Sequence, residues 1–545
     1  MGAPTSRFPL LPLLGAVLAV LAAAFIVLTR RWPMVGDAAL LHYYVFLIHH
    51  GRLPYRDFLD VNMPGAYWST NLATHLPGSV DTAWRLYDLS LVALLSAGYL
   101  IIARPYSRFA ALFATVLFLL VHGQDGIQQA GQRDLAISAL LMAAVACLLL
   151  ALRRERWPWL LPFGLAAGLA ATIKPTAAPL GLLLLILVLA WRLRQRAMDG
   201  AAAAGWLAAG LAAMVLPLAA MVAWLGRFGL WHAWIATERT ILPYYAATDR
   251  RPLAFTFAHS IAPLGALVAL WLLCVALRGP RWKPLPDGVS GASLSRPDFE
   301  RLLLAVAATI NLAGLLAQGK ALPYQRYPFL AFLLLLLAID LTTAWKAHAQ
   351  AAARRIGRFA ALAGLLTGTL LLGPLALARV HRFVVGPQAF DALLRADLAR
   401  INGGALSGRI QCMDSIQDCL PVLDQLGLLP ATYVLTDQAL LDPRPLPAVH
   451  AMRQRFATAL AAQPPLAIVV VSGYVFETRD SYRKLGRWPA FDRWLRAHYT
   501  LVAERQPPGE FLWWSRPQPE PGYRLYVLNG TPVAEPSPPG PATVR

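Results

Sequence analysis

Three carboxylates and four cations stand out in a chain that is otherwise greasy. Asp37, Asp57 and Asp60 fall in the first long polar stretch. Arg133, Lys174, Lys320 and Arg326 recur in later short ones, beside Tyr, Trp and Pro. Charges gathered at one membrane face are costly unless they serve a purpose. A carboxylate can take the proton of an acceptor hydroxyl, and fixed cations can hold charge developing on a phosphate. The residue types point to chemistry on a charged, lipid-borne substrate.

The elements that must position these groups are membrane helices. The chain has 545 residues, 57% hydrophobic and 14% charged, with a mean hydropathy of +0.50, the composition of a polytopic membrane protein. Apolar runs of about twenty residues, each long enough to cross a bilayer, recur to roughly residue 378. About eleven helices are expected, near 9–29, 86–103, 109–122, 134–152, 157–173, 176–191, 202–225, 254–277, 301–317, 328–345 and 359–378. The first, Leu10 to Leu28, resembles a signal peptide but is long for one and reads better as an uncleaved helix.

The formal charge of +20 would suggest nucleic acid in a soluble protein. Here much of it lies in short loops, Arg153 to Arg156, Arg192 to Arg196, Arg278 to Lys283 and Lys346 to Arg358, and no basic aromatic groove is present. Nucleic acid is not an expected partner; membrane lipids are. Basic loops are retained in the cytoplasm. That places 30–85, 123–133, 226–252, 318–327 and everything beyond about 380 on the outer side of the inner or plasma membrane, periplasmic or extracellular.

Three domains are expected: a transmembrane domain 1–379, an extracytoplasmic α/β domain 380–530 and a disordered Pro-rich tail 531–545. In the second, strand-like runs at Ala431 to Leu435, Leu466 to Val471, Phe511 to Trp514 and Tyr523 to Leu528 alternate with helix-like stretches, Gln388 to Ile401 and Val449 to Ala462. Cys147 and Cys274 lie inside apolar spans as packing residues. Cys412 and Cys419 either pair, in an oxidising compartment, or are free thiols.

Gly36 to Gly51 is apolar with interspersed His and Tyr, as for a helix lying in the interface. Asp37 is placed to N-cap it, and a cap and a base are both open readings. Asp57 and Asp60 are either second candidates for the base or turn formers. The cations are phosphate ligands or residues snorkelling to the interface. His42 and His49 share a helical face but lie too far apart to join one ion comfortably, so no metal is expected. Trp231, Trp234, Tyr244 and Tyr245 suit an aromatic belt or a sugar-stacking surface.

The order of these motifs carries a resemblance. An Asp just after the first helix is followed by Gly51-Arg52-Leu53-Pro54-Tyr55-Arg56-Asp57-Phe58. Pro64-Gly65-Ala66-Tyr67 then opens a second short helix. Gln132-Arg133-Asp134 begins a long one, Gly168 to Thr176 ends one around Lys174, and Gly319-Lys320-Ala321-Leu322-Pro323-Tyr324-Gln325-Arg326-Tyr327 precedes a late one. Over about 330 residues this resembles integral-membrane glycosyltransferases of the GT-C fold, the branch of protein O-mannosyltransferases and lipid A aminoarabinose transferases.

The resemblance implies an α-helical polytopic membrane protein of GT-C fold with a C-terminal soluble α/β domain. It implies transfer of a sugar, hexosyl or pentosyl, from a polyprenyl-phosphate donor to a glycan, lipid or protein acceptor at the outer face. No cofactor is implied. Asp37 is first choice as base by position, then Asp60 and Asp57; Arg133, Lys174, Lys320, Arg326 and Tyr324 would hold the donor. The chain departs from its relatives where the acidic pair after the first helix is reduced to Asp37-Ala38, which puts a paired-acid mechanism there in doubt. A transporter or lipid flippase is the alternative, though its charges would lie near the midplane. A non-catalytic assembly factor is the third reading.

Overall fold

The computed structural model describes residues 10–278, 282–284, 292–347, 352–381, 389–415, 418–473, 481–508, 510–513 and 516–534. Backbone in hydrocarbon must satisfy its own hydrogen bonds, so apolar runs become helices. Among the described residues eight are long and apolar enough to cross a membrane: Leu10–Thr29, Val80–Ala103, Arg133–Arg154, Ala177–Arg194, Gly200–Arg227, Arg296–Gln318, Pro323–Lys346 and Ala352–Val380. The expected span at 254–277 is a bent pair, Leu253–Ser260 and Ala262–Arg278, at 40° to one another. Pro263, which lacks an N–H to continue the ladder, sits in the short 3₁₀ turn at that break. Arg108–Gln124 and Trp157–Ile173 are shorter apolar helices. These are the stretches hydropathy marked, and the chain is a multi-pass integral membrane protein.

The chain divides into two compact units. One comprises Met1–Pro33, Asn62–Leu225 and Arg250–Val384; the other Met34–Val61, Gly226–Asp249 and Val385–Arg545. In the first, Arg133–Arg154 and Pro323–Lys346 are the most enclosed spans, 78% and 83% buried, whereas Leu10–Thr29 is 22% buried and leaves Val20, Ile26 and Val27 exposed. The two enclosed helices are therefore the centre of the bundle. Some basic residues between spans are paired: Arg153 donates to Glu300 at 2.7 Å, and Arg278 to Asp298 at 2.7 Å.

In the second unit a four-stranded sheet runs in the order Ile410–Met413, Ala467–Val471, Tyr523–Leu528, Tyr499–Arg505. The first two strands are parallel and the other pairs antiparallel. Ala467–Val471 is buried at every residue, as a strand covered on both faces must be. Helix Pro447–Ala462 contributes Met452, Phe456 and Leu460 to the core, and Pro489–His498 contributes Phe491 and Leu495. Leu59 and Ile241 pack against the same core, so the segments around them are mounted on the α/β domain.

Several expectations are corrected here. The run Ala431 to Leu435 is not a strand. Val434 and Leu435 are buried and Ala431 and Tyr433 half-buried, but most of its backbone bonds elsewhere: Val434 N–H donates to Thr432 Oγ1, Val434 O accepts from Gln411 Nε2, and Tyr433 O accepts from Leu59 N–H. Two strands of this sheet escaped notice, Ile410–Met413, which is short, and Tyr499–Arg505, which mixes polar and charged residues with apolar ones. The expected loop 226–252 contains a helix, Trp231–Ala247. Within the expected tail, Asn402 N–H donates to Pro532 O and Ala534 N–H to Arg400 O; residues 535–545 lie outside the described residues. Cys412 and Cys419 form a disulfide joining strand Ile410–Met413 to helix Cys419–Gln425.

Asp397 ties helix Ala389–Ala399 to the sheet by accepting from Arg505 at 2.9 and 3.0 Å and from Tyr523 Oη at 2.8 Å. Burial pushes its pKa up, but the hydrogen bonds from Arg505 and Tyr523 outweigh that and hold it below the usual carboxylate range. A depressed folded pKa stabilises fully above the unfolded value of about 3.9 and loses that contribution as pH falls through the folded value. Asp397→Asn is expected to lower stability by about 1–3 kcal/mol at neutral pH, discounted because Arg505 is partly exposed. The loss should shrink toward about pH 3. Thermal unfolding of the two proteins in detergent, compared at neutral and acid pH, checks it; an equal difference at both would contradict the charge argument.

Candidate functional site

In the first unit the motif segments meet around the start of helix Arg133–Arg154. The preceding loop is held by helix Val80–Ala103, where Trp84 Nε1 donates to Ala130 O at 3.1 Å and Asp88 accepts from Gly131 N–H at 2.6 Å. Trp84 and Asp88 are four residues apart and so share a face. Gly131 has φ +63°, and a Cβ there would come within 2.5 Å of Trp84 Cε2, so only glycine fits. Asp88 is fully buried. It also accepts from Arg85 and, at 3.0 Å, from His122 Nε2, whose Nδ1 lies 2.9 Å from Tyr327 Oη. With the Nε2 proton given to Asp88, Nδ1 accepts from the tyrosine.

Lys174 ends helix Leu160–Ile173 as its C-cap. Its Nζ donates to Asp134 Oδ1 at 2.9 Å and to Gln318 Oε1 at 2.8 Å. Two of the motifs, and the residue just before a third, therefore meet at one ammonium group. The helix opened by Pro64 comes close too: a Cβ on Gly65 would lie 2.5 Å from the Thr172 carbonyl carbon, which accounts for glycine in that motif. Arg326, 4% exposed, donates to Asp125 Oδ1 at 2.6 Å and to Ser260 O at 3.2 Å. Lys320 and Tyr324 are buried in the same segment. Neither Lys174 nor Arg326 snorkels; both are ion-paired within the bundle.

The candidate carboxylates belong to the second unit. Asp37 is the first residue of helix Asp37–His49, and the N-cap is Gly36, with φ 62° and no side-chain cap bond. The expected cap role of Asp37 is thus corrected: its charge lies in the first turn, where the helix dipole favours an anion. The helix is not left to lipid alone, because Tyr43 Oη donates to Leu428 O at 2.7 Å and His42 Nδ1 meets Asp424 at 2.5 Å. Among the described residues no group of three or more His, Cys, Asp and Glu is placed to hold a metal ion.

Asp57 accepts from Leu53 N–H at 2.9 Å and from both ends of the Arg56 guanidinium, at 3.1 and 3.0 Å. Burial raises its pKa, but these bonds lower it further, leaving it below the usual range. That makes it a loop former and a weak base. Asp60 is buried and accepts from Val61 N–H at 2.8 Å. Burial raises the pKa of Glu238 on helix Trp231–Ala247, the nearby Trp234 opposes this, and the charge of Asp60 adds to the rise. Sequence reasoning passed over Glu238, although it is the single acid between Gly226 and Ala247. It also missed Asp88, His122 and Asp125, polar residues inside or beside apolar runs. Tyr244 is no belt residue: its Oη donates to Asp442 at 2.8 Å.

Residues 61–224 match the family described as dolichyl-phosphate-mannose-protein mannosyltransferase. None of the curated proteins compared by sequence matches the chain. Among solved structures, ArnT from Cupriavidus metallidurans bound to undecaprenyl phosphate is 14% identical with a TM-score of 0.56, over 97% of this chain and 99% of that one. Its apo form gives 13% and 0.57 over the same shares. The archaeal oligosaccharyltransferase AglB from Archaeoglobus fulgidus, in complex with an inhibitory peptide and a dolichol-phosphate, gives 13% and 0.51 over 84% of this chain and 69% of that one. At such identities the structural likeness establishes the fold. The segment that carries Pro64-Gly65, Gln132-Arg133-Asp134 and Lys174 matches that family, and the chain has the GT-C fold that these membrane proteins share.

Proposed function

We propose that the chain transfers a hexosyl or pentosyl group from a polyprenyl-phosphate donor to a glycan, lipid or protein acceptor at the extracytoplasmic face. The acceptor hydroxyl gives its proton to Asp37 as its oxygen bonds the sugar's anomeric carbon. The bond from that carbon to the phosphate oxygen breaks, and polyprenyl phosphate leaves with the electron pair. A phosphate ester is a good leaving group, so no general acid is needed. Arg133, Lys174, Lys320 and Arg326, with Tyr324, hold the charge that develops. Asp60 is the second candidate for base, and Asp57, already committed to Arg56, the third.

The observation that carries this reading is the meeting at Lys174 of Asp134 from one motif and Gln318 from the end of the helix that leads into another. The undecaprenyl phosphate and dolichol-phosphate held by two structures of the same fold support the donor class. Nothing among the comparisons favours a transporter. The α/β domain, 380–530, is extracytoplasmic in this reading, which the basic loops and the Cys412–Cys419 disulfide support, since disulfides persist in oxidising compartments. A reporter active only in the cytoplasm, fused after Arg545, is expected to stay silent. Bright signal would overturn the topology and the outer-face reaction with it.

Lys174→Met is expected to cost roughly 2–4 kcal/mol of transition-state stabilisation, as loss of a fixed donor does elsewhere. It also strands buried Asp134, which lowers stability. The double variant Lys174→Met, Asp134→Asn should recover the unfolding temperature and leave transfer from polyprenyl-phosphate sugar low. Recovery of transfer in the double variant would mean that Lys174 serves only to neutralise Asp134.

A further inference from the structure

A cavity of about 210 Å³ opens in the second unit, lined in part by Arg52, Asp57, Thr432, Tyr433 and Arg455. It is smaller than the roughly 300–1,000 Å³ of drug-sized sites, so it suits one sugar ring rather than a chain of them. Its charge balance decides what such a ring must carry. The Asp57 carboxylate is taken up by the Arg56 fork and by Leu53 N–H. Arg52 makes no side-chain hydrogen bond among the described residues. Arg455 donates to Arg56 O at 2.9 Å and lies 3.8 Å from the centroid of the Tyr433 ring, which leaves most of its donors open. Two guanidinium groups therefore face a small cavity whose only acid is already neutralised. Arginine forks match carboxylate and phosphate oxygens in pairs, and the flat Tyr433–Arg455 stack offers a platform beside them.

The cavity is also tied to the candidate base loop. Tyr433 O accepts from Leu59 N–H at 2.8 Å, one residue before Asp60. We propose that this cavity is an acceptor subsite that binds an anionic sugar, a single ring bearing a carboxylate or phosphate, between Arg52 and Arg455. Its role as an acceptor subsite rests on the transferase reading; the binding itself does not. Because both arginines are exposed, salt should weaken the interaction.

Ligand-observed NMR on the full-length protein in detergent tests it, with glucuronate, glucose 6-phosphate, inorganic phosphate and glucose as probes. The acidic sugars are expected to bind at least about tenfold tighter than glucose, the ratio that one charge-assisted bond supports. Which acidic sugar binds better separates a uronate acceptor from a phosphorylated one. Arg52→Gln and Arg455→Gln should each weaken both by about tenfold, and Arg455→Lys by less. Arg52→Gln removes no hydrogen bond, so it stays informative if a variant at Arg455 fails to fold. Tyr433→Leu should weaken the acidic sugars and leave inorganic phosphate unchanged. Glucose binding as well as glucuronate, or binding insensitive to both arginine variants, would overturn the proposal. So would inorganic phosphate binding as tightly as the acidic sugars. With no donor present the assay reads binding alone; if polyprenyl-phosphate sugar is then added, a wild type that binds these sugars but transfers nothing would count against the transferase reading and leave the subsite standing.

Discussion

Asp37→Asn is expected to lose on the order of a hundred- to ten-thousand-fold in transfer rate, the usual cost of removing a general base, while the protein still folds and still binds its donor. Asn is nearly isosteric with Asp and keeps one carbonyl oxygen, but it has neither charge nor basicity. The structural cost should be small. Gly36, not Asp37, is the N-cap residue, and Asn keeps a side-chain oxygen that can accept a hydrogen bond. The substitution removes an anion from a first helical turn, worth about 0.3–1 kcal/mol. Comparison of transfer rate with unfolding temperature therefore separates chemistry from folding. Asp60→Asn is the decisive partner experiment. If Asp37→Asn keeps near-normal transfer while Asp60→Asn does not, the base is Asp60, and the raised pKa of Glu238 beside it becomes part of the proton's route.

Most of the bundle was legible because each span is a long apolar run, and a run of that length in hydrocarbon has one backbone solution. What hydropathy could not show was the 40° bend between Leu253–Ser260 and Ala262–Arg278; Pro263 was its one visible sign. In the α/β domain, Leu466 to Val471 and Tyr523 to Leu528 were legible as dense β-branched and aromatic runs and appear as Ala467–Val471 and Tyr523–Leu528. Ala431 to Leu435 has the same composition yet forms no ladder, because Thr432 and Gln411 side chains intercept its backbone groups. Composition reports burial there, not pairing.

The candidate site was legible by residue type and order, and less so by partner. Lys174 and Asp134 lie forty residues apart, and nothing local says that they touch. The pairing of Arg326 with Asp125, two hundred and one residues away, is equally invisible. Asp57 illustrates the opposite case: Arg56 and Leu53, its nearest neighbours, take its oxygens, so the bland reading of a turn former was available from the sequence and describes its geometry well.

Asp88→Ala is expected to be the most destabilising single change in the bundle, at about 3–5 kcal/mol, the cost of removing one partner from a buried ion pair. The side chains of Asp88 and His122 are fully buried and that of Arg85 nearly so. Without the carboxylate, the Arg85 guanidinium keeps Thr29 and the faces of Phe25 and Trp32 but no counter-charge, and Gly131 N–H loses its acceptor. Thermal unfolding in detergent reads the loss directly. Arg85→Met together with Asp88→Leu removes both charges and should recover much of it, since apolar replacement of a buried pair is often neutral or better. Transfer should not recover to the same degree. The Asp88–Gly131 bond lies two residues before Arg133, so a stable bundle without it still has a loosened start to the helix that carries Arg133 and Asp134. If the double variant regains stability and full transfer together, Asp88 holds the fold alone and Trp84 suffices to place the Gln132-Arg133-Asp134 turn.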